Sequence, residues 1–217
     1  MTTYYDSKDF ASLSDMVYHH VYMDITEGRY RAGDLLIEMK IAEELGVSRT
    51  PVREALKQLE REDLVISLPN RGVMVRDITA EDISDIYTIR ALLEGQAAYW
   101  AAERITREQL DAMTETLLLM ELYTQRNDVE HLVRLDTAFH EIIYEACRSS
   151  AIRNLLTNLH HIIRARRLSS FTVEGRAPVS LTEHREIYEA LEAHDAERAK
   201  RCAQHHIHVA SHVTDNR

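Results

Sequence analysis

Cysteine, glycine, proline and long apolar runs are all scarce in this chain of 217 residues. Its two cysteines, Cys147 and Cys202, show no CxxC spacing. That excludes a disulfide framework and a thiolate zinc knuckle, and leaves two thiols expected to be buried. Six glycines and three prolines are too few for a linker-rich or low-complexity chain, and no internal repeat is visible. No apolar run reaches the length of a membrane span, and "MTTYYDSKDF" lacks a basic stretch followed by an apolar one, so a cytoplasmic protein with no membrane partner is expected. Positive charge is short too: 26 Lys and Arg against 36 Asp and Glu give a net −10. Residues 1–77 hold ten basic and fourteen acidic side chains, and the rest holds sixteen and twenty-two. Neither half has a domain-wide basic field, so any nucleic-acid contact must come from a local cluster. One exists from Gly46 to Arg76, with six basic residues against four acidic.

An apolar fraction of 45% and a charged fraction of 29% are those of an ordinary globular protein, long enough for a real core. The few glycines and prolines mostly act as punctuation. A helical stretch carrying Leu13, Val17, Val21 and Ile25 ends at a turn bracketed by Gly28 and Gly33. A short helix with Ile41, Ala42 and Leu45 stops at Gly46. Pro51 then follows Thr50 in the manner of a first helical residue after its cap, opening a third helix to about Arg61. "LVIS" (64–67) and "VMVR" (73–76), joined by "LPNRG", read as a hairpin with Gly72 in the turn. Beyond Arg76 the strand signal disappears. "TAED" (79–82) and "TREQ" (106–109) resemble capping boxes, and six helices are predicted at 80–102, 107–125, 129–147, 151–169, 183–193 and 196–213. "SFTVEGRAPVSL" between the fourth and fifth reads as the flexible loop. The predicted fold is therefore mainly α: a winged helix-turn-helix over 1–77, then an antiparallel six-helix bundle over 78–217, with a very short linker near Ile78.

In the first half, "GVSRTPVREALKQLE" turns Val52, Ala55, Leu56 and Leu59 inward and presents Arg49, Thr50 and Arg53 from its N-terminal turn. A helix end of this kind fits the DNA major groove, where arginines hydrogen-bond guanine edges or phosphates, and Arg71 at the hairpin tip is placed to reach the backbone or an adjacent groove. A helical hairpin with merely solvated arginines is the plainer alternative. The stretch "AGDLLIEMKIAEELGVSRTPVREALKQLEREDLVISLPNRGVMV" resembles the DNA-binding domain of GntR-family bacterial transcriptional regulators over some forty residues. The resemblance implies that Arg49, Thr50 and Arg53 contact bases or phosphates, that Arg71 and Gly72 form the wing contact, and that a homodimer binds a palindromic double-stranded operator, usually to repress. Met39 stands where some members carry a DNA-contacting arginine, so that contact is not expected here.

In the second half, polar residues interrupt apolar faces. Asp136 and His140 are in register with Leu132, Phe139 and Ile143; His184 shares a stripe with Ile187, Tyr188 and Leu191; His206 lies with Ala199, Cys202, Ala203 and Ala210. His205, His208 and His212 fall on the opposite, polar stripe. Each buried group either finds its own hydrogen-bond partner or shares a divalent cation with the others. One carboxylate and three imidazoles suit zinc, nickel or another first-row ion. Cys202, one turn from His206, is a further possible ligand or an ordinary thiol.

The helical half is similar to the FCD effector domain of the FadR-type subfamily, in its six-helix, metal-bearing branch, through "LDTAFH", "TEHREIYEALEAHDAERA" and "HHI". The resemblance implies that Asp136, His140, His184 and His206 hold a divalent metal ion, zinc in the first place, with nickel, manganese or iron also suited. It implies too that Arg90 in "TIRALLEG" reaches a small carboxylate effector; otherwise Arg90 pairs with Glu94 at i,i+4. Arg164, Arg166 and Arg167 in "RARR" are either further anion contacts or a solvated face. Ala151 replaces an asparagine frequent in the family, which affects the shape of the pocket.

The function expected is that of a DNA-binding transcriptional regulator, a repressor, whose operator affinity answers to an organic acid at the metal site. The rivals are a constitutive DNA-binding module with a structural ion, and a helical metalloenzyme. Against an enzyme stand the absence of HExxH, GxSxG, Glu-x-x-His and a phosphate loop, and the lack of a general base beside the four ligands.

Overall fold

The computed structural model describes residues 12–215 apart from Glu27, Asp63, Asn70 and Ile78. The position near Ile78 read as the linker, and the side chain of Arg164, lie outside what is described. Two compact units are present, Met1–Ile78 and Thr79–Arg217.

The first unit comprises α1 (Leu13–Thr26), β1 (Leu35–Leu36), α2 (Glu38–Leu45), α3 (Arg49–Arg61), β2 (Val65–Leu68) and β3 (Gly72–Val75). Val17 and Val21 of α1 are fully buried, as are Val52, Ala55 and Leu59 of α3, which packs against α1. The helical spacing of those apolar residues thus forms the core of the unit. Tyr18 Oη donates to Glu62 Oε2 at 2.6 Å and ties α1 to the end of α3. Gly46 ends α2 in the left-handed region at φ 65°, donating its N–H back to the helix, a conformation that favours glycine. The next helix starts earlier than the Thr50–Pro51 pattern predicts. Helix α3 begins at Arg49 with Ser48 as its extended N-cap, so Thr50 is not the cap and Pro51 is the third helical residue, where its missing N–H still costs nothing. The hairpin pairs Leu68 with Gly72, and Gly72 has φ 98°. The pair of residues Leu35–Leu36 adds a third antiparallel strand, giving the order β1-β3-β2. A strand of two residues leaves no alternation to read.

The second unit holds α4 (Ala80–Arg104), α5 (Arg107–Gln125), α6 (Val129–Ala146), α7 (Ser150–Ile162), α8 (Arg164–Phe171), α9 (Arg176–Glu192) and α10 (Ala196–Asp215). Both expected capping boxes are present, Thr79 with Asp82 and Thr106 with Gln109. Two expectations need correction. The helix predicted at 151–169 is two helices, α7 and α8, interrupted at Ile163, so the described residues form seven helices rather than six. Both pieces keep helical spacing, and a one-residue break leaves no trace in such a pattern. The expected loop "SFTVEGRAPVSL" is mostly helix: α9 opens at Arg176 after Gly175 at φ 80°, and Pro178 falls in its first turn, where proline is tolerated. Helix α10 packs along α4. A Cβ on Gly95 would meet Gln204 Cγ at 2.6 Å, so the two helices close over a residue with no side chain. Cys147 is buried as expected, but Cys202 is only half-buried.

Candidate functional site

In the first unit the side chains of Arg49 and Arg53 are 61% and 53% exposed, while Thr50, Arg71 and Gly72 are exposed residues. A residue not singled out in the sequence organises the pair. Glu38, in the first turn of α2, accepts from Arg49 Nη2 at 2.7 Å and from Arg53 Nη2 and Nε at 3.0 and 3.1 Å. Hydrogen bonds from Arg53 and Arg49 hold the Glu38 carboxyl at about 2, below its ordinary 4.5. The two guanidiniums are thus presented together from one helix end. On the hairpin, Ser67 N–H donates to Glu60 Oε1 at 3.0 Å, joining β2 to α3.

In the second unit, α6 contributes Asp136 and His140 one turn apart, α9 His184 and α10 His206, and all four are buried. One ligand-type atom from each lies within 4.8 Å of the others. Cys202 is not in the group. The outer nitrogen of each imidazole faces an acceptor. His140 Nδ1 lies 2.7 Å from Glu94 Oε2, His184 Nδ1 2.7 Å from the Ser180 carbonyl, and His206 Nδ1 2.7 Å from Glu183 Oε2. A carboxylate or carbonyl only accepts, so each ring places its proton on Nδ1 and turns a bare Nε2 inward. The Nε2 atoms of His140 and His206 face each other at 3.3 Å, and His184 Nε2 stands 3.2 Å from Asp136 Oδ1 without a hydrogen bond. Buried lone pairs turned on one another and on a carboxylate are costly unless a cation lies among them. Outward Nδ1–H donors with inward Nε2 acceptors are also the arrangement that orients histidine ligands. These residues therefore fit a divalent metal ion.

The charges around the group are paired. Arg167 donates to Asp136 Oδ2. Burial alone would raise the Asp136 carboxyl, yet the Arg167 guanidinium carries it well below its ordinary range. Burial likewise opposes ionisation of Glu94, but Arg90 and His140 hold it ionised. Arg90 makes the i,i+4 pair with Glu94, Nη2 lying 2.6 Å from Oε1, and its side chain also lines a cavity with Asp136 and His206. Arg176 donates twice to Glu183 Oε2 at 3.0 Å. Burial, with the His184 ring next, holds His206 neutral down to about 3. Glu94, His140 and His160 also cluster, but Arg90 Nη2 sits 2.8 Å from His160 Nε2 and already supplies a cation there. That cluster supports the first rather than duplicating it.

Arg167 was visible in "RARR" only as one of three equivalent arginines. Arg176 and Ser180 fell in the presumed loop, and Glu183 and His160 carried no distinguishing pattern. Contacts in the sequence-distant pairs Arg167–Asp136 and Glu183–His206 arise only from tertiary packing.

A winged helix-turn-helix with its arginines at a helix end, joined to an all-helical unit, defines a DNA-binding regulator. The pattern described as "Bacterial regulatory proteins, gntR family" matches residues 13–75, and the FCD domain matches residues 85–209. The chain belongs to the GntR family of bacterial transcriptional regulators, and carries an FCD domain. It is 30% identical to the HTH-type transcriptional regulator YdhC of Bacillus subtilis over 90% of this chain and 85% of that one. It is 32% identical to the gluconate operon transcriptional repressor of the same organism, over 77% and 72%. Among solved structures, E. coli McbR/YncC shares the fold with a TM-score of 0.81 at 22% identity, over 95% and 99% of the two chains. Members of the family bind DNA operators, and none of these names denotes an enzyme. Among the described residues no helix is long and apolar enough to cross a membrane.

Proposed function

We propose that the chain is a homodimeric repressor whose affinity for a palindromic operator is set by a small organic acid bound at a metal ion. Asp136, His140, His184 and His206 hold the ion, zinc in the first place, and Arg90 contributes to the acid's site. Arg49, Thr50 and Arg53 read or anchor the DNA, with Arg71 and Gly72 as the wing contact. The observation that carries this reading is the convergence of three bare Nε2 atoms and a carboxylate beside buried guanidiniums. The ion supplies positive charge and coordination positions for a carboxylate, while the chain's own residues orient the ligands and exclude water. A relative named a repressor agrees with the sign of control. Arg90 and Glu94 belong to α4, which begins at Ala80 beside the junction of the two units, so acid binding at the ion is read out through that helix.

The test is an operator-fragment shift with zinc-loaded and metal-stripped protein, with and without a panel of organic acids. An acid that changes operator affinity only in loaded protein supports the reading. A full response from stripped protein reduces the ion to a structural role. A strictly monomeric sedimentation profile at micromolar concentration, with and without DNA, removes the two-fold docking on a palindrome.

A further inference from the structure

Among the described residues, Met39 is the most exposed of the large apolar side chains, 65% open to solvent. A single exposed apolar residue is ordinary in itself; its surroundings decide what it means. Ile41 and Ala42 carry the buried face of α2, and Met39 lies off it. It follows Glu38, on which Arg49 Nη2 and Arg53 Nη2 converge at 2.7 and 3.0 Å. The first turns of α2 and α3 are thereby drawn together. Met39 stands in the same turn as the acid that gathers the two arginines.

Those surroundings indicate the kind of partner. Arg49 and Arg53 are each more than half exposed. Both helix starts are also uncapped: Ile37 and Ser48 make no side-chain cap bond, whereas Thr79, Thr106 and Asp128 each accept from an N–H of the helix they open. N–H groups left open at a helix start, with arginines beside them, suit phosphates. An apolar protein surface laid on Met39 would strip water from the guanidiniums without repaying it. The major groove of DNA offers what this mixed surface needs side by side: phosphates, guanine acceptors and the apolar C5-methyl of thymine.

Resting on the proposed DNA-reading role of Arg49 and Arg53, we infer that Met39 determines specificity: its side chain packs on a thymine methyl in each half-site, beside the groups taken by the two arginines. The contact is apolar, with no hydrogen bond. A thioether chain with three rotatable bonds can follow the methyl while the arginines hold the register.

The experiment begins with full-length protein selecting duplexes from a randomised pool. The recovered sequence is resynthesised with each thymine of one half-site replaced in turn by deoxyuridine, which removes only the methyl. Fluorescence anisotropy at fixed salt should find a position at which deoxyuridine weakens wild-type binding about fourfold, the effect of one apolar carbon returned to water. Met39→Ala should bind the thymine and deoxyuridine duplexes equally, and Met39→Leu should keep part of the preference. Because the side chain is exposed, both variants should keep the wild-type Tm. Insensitivity to every thymine methyl overturns the inference. A deoxyuridine effect that survives in Met39→Ala does so too, since it assigns the methyl to another side chain such as Thr50. An equal loss by Met39→Ala on selected and random duplexes reduces Met39 to a non-specific contact and also overturns it. Failure of the pool to yield an enriched sequence, or unchanged affinity for the selected duplex in both Arg49→Ala and Arg53→Ala, defeats the proposed DNA reading itself and the inference with it.

Discussion

Replacing His206 by alanine, with His205→Ala as its neighbour control, tests the four-residue centre most directly. His206 is 3% exposed and uses both ring nitrogens, Nδ1 toward Glu183 and Nε2 toward His140, whereas His205 is exposed. Losing a buried hydrogen bond to a charged acceptor costs about 1.5–3 kcal/mol. Arg176 still holds Glu183, so the lower part of that range, about 2 kcal/mol, applies. Losing one of four ligands weakens the ion by at least the ~100-fold seen when an outer partner is removed. With free ion at a hundred times the wild-type Kd, that change forfeits about 2 kcal/mol of linked stability. Together these make about 4 kcal/mol, or about 12–16 °C in Tm for a domain of this size. Elemental analysis should find about one ion per chain in wild-type and His205→Ala protein, and far less in His206→Ala. Equal loss in both variants would show that the two residues were assigned to the wrong faces. An unchanged ion content and Tm in His206→Ala would refute the centre.

Arg49→Ala or Arg53→Ala should weaken operator binding by about 1–3 kcal/mol in fluorescence anisotropy at fixed salt, with only a small fall in Tm, because both side chains are exposed and the remaining arginine still holds Glu38. Glu38→Gln should release both arginines, raising non-specific DNA affinity and lowering the ratio of specific to non-specific binding; a fall in both affinities would show that Glu38 does not compete with DNA. Since the folded Glu38 carboxyl lies at about 2 against an ordinary 4.5, its contribution to stability is full above 4.5 and lost as pH falls toward 2. Acid denaturation of Glu38→Gln should be correspondingly shallower across that window. In metal-stripped protein, His206 is protonated near 6.5 when unfolded but only near 3 when folded, so the unfolded state binds more protons between those values. Stability of stripped protein should therefore fall as pH drops from 6.5 to 3, and a Tm flat across that range would contradict the buried neutral ring.

Much of this architecture is legible in the residues because it is local. The inward set Val52, Ala55, Leu56 and Leu59 follows from helical spacing, and both capping boxes follow from four-residue patterns. Asp136, His140, His184 and His206 stand out because polar groups on apolar stripes are expensive, and the fold brings them together. What stayed hidden depends on distant partners. Glu38 looked like any solvent-facing acid of α2 until α3 placed two arginines over it. Arg176 falls in a stretch whose pattern predicts loop, because Pro178 and Gly175 are breakers in one setting and helix starters in another. The break at Ile163 has no composition of its own; it is visible only in the backbone that lets α8 bring Arg167 to Asp136.

Helix α4 runs without interruption from Ala80, just after the Thr79 cap, past Glu94, which grips the His140 ring. Thr79 and Glu94 are fifteen residues apart, about 22 Å along the axis at 1.5 Å per residue. The helix is thus a lever whose short end rests on the ligand shell. A tilt of about 5° around Glu94 carries the Thr79 end through about 2 Å, whereas Glu94 itself hardly moves. A change at the ion too small to disturb its coordination becomes a side-chain-sized displacement at the first residue of the unit, and the rigidity of an unbroken helix is what makes the amplification possible.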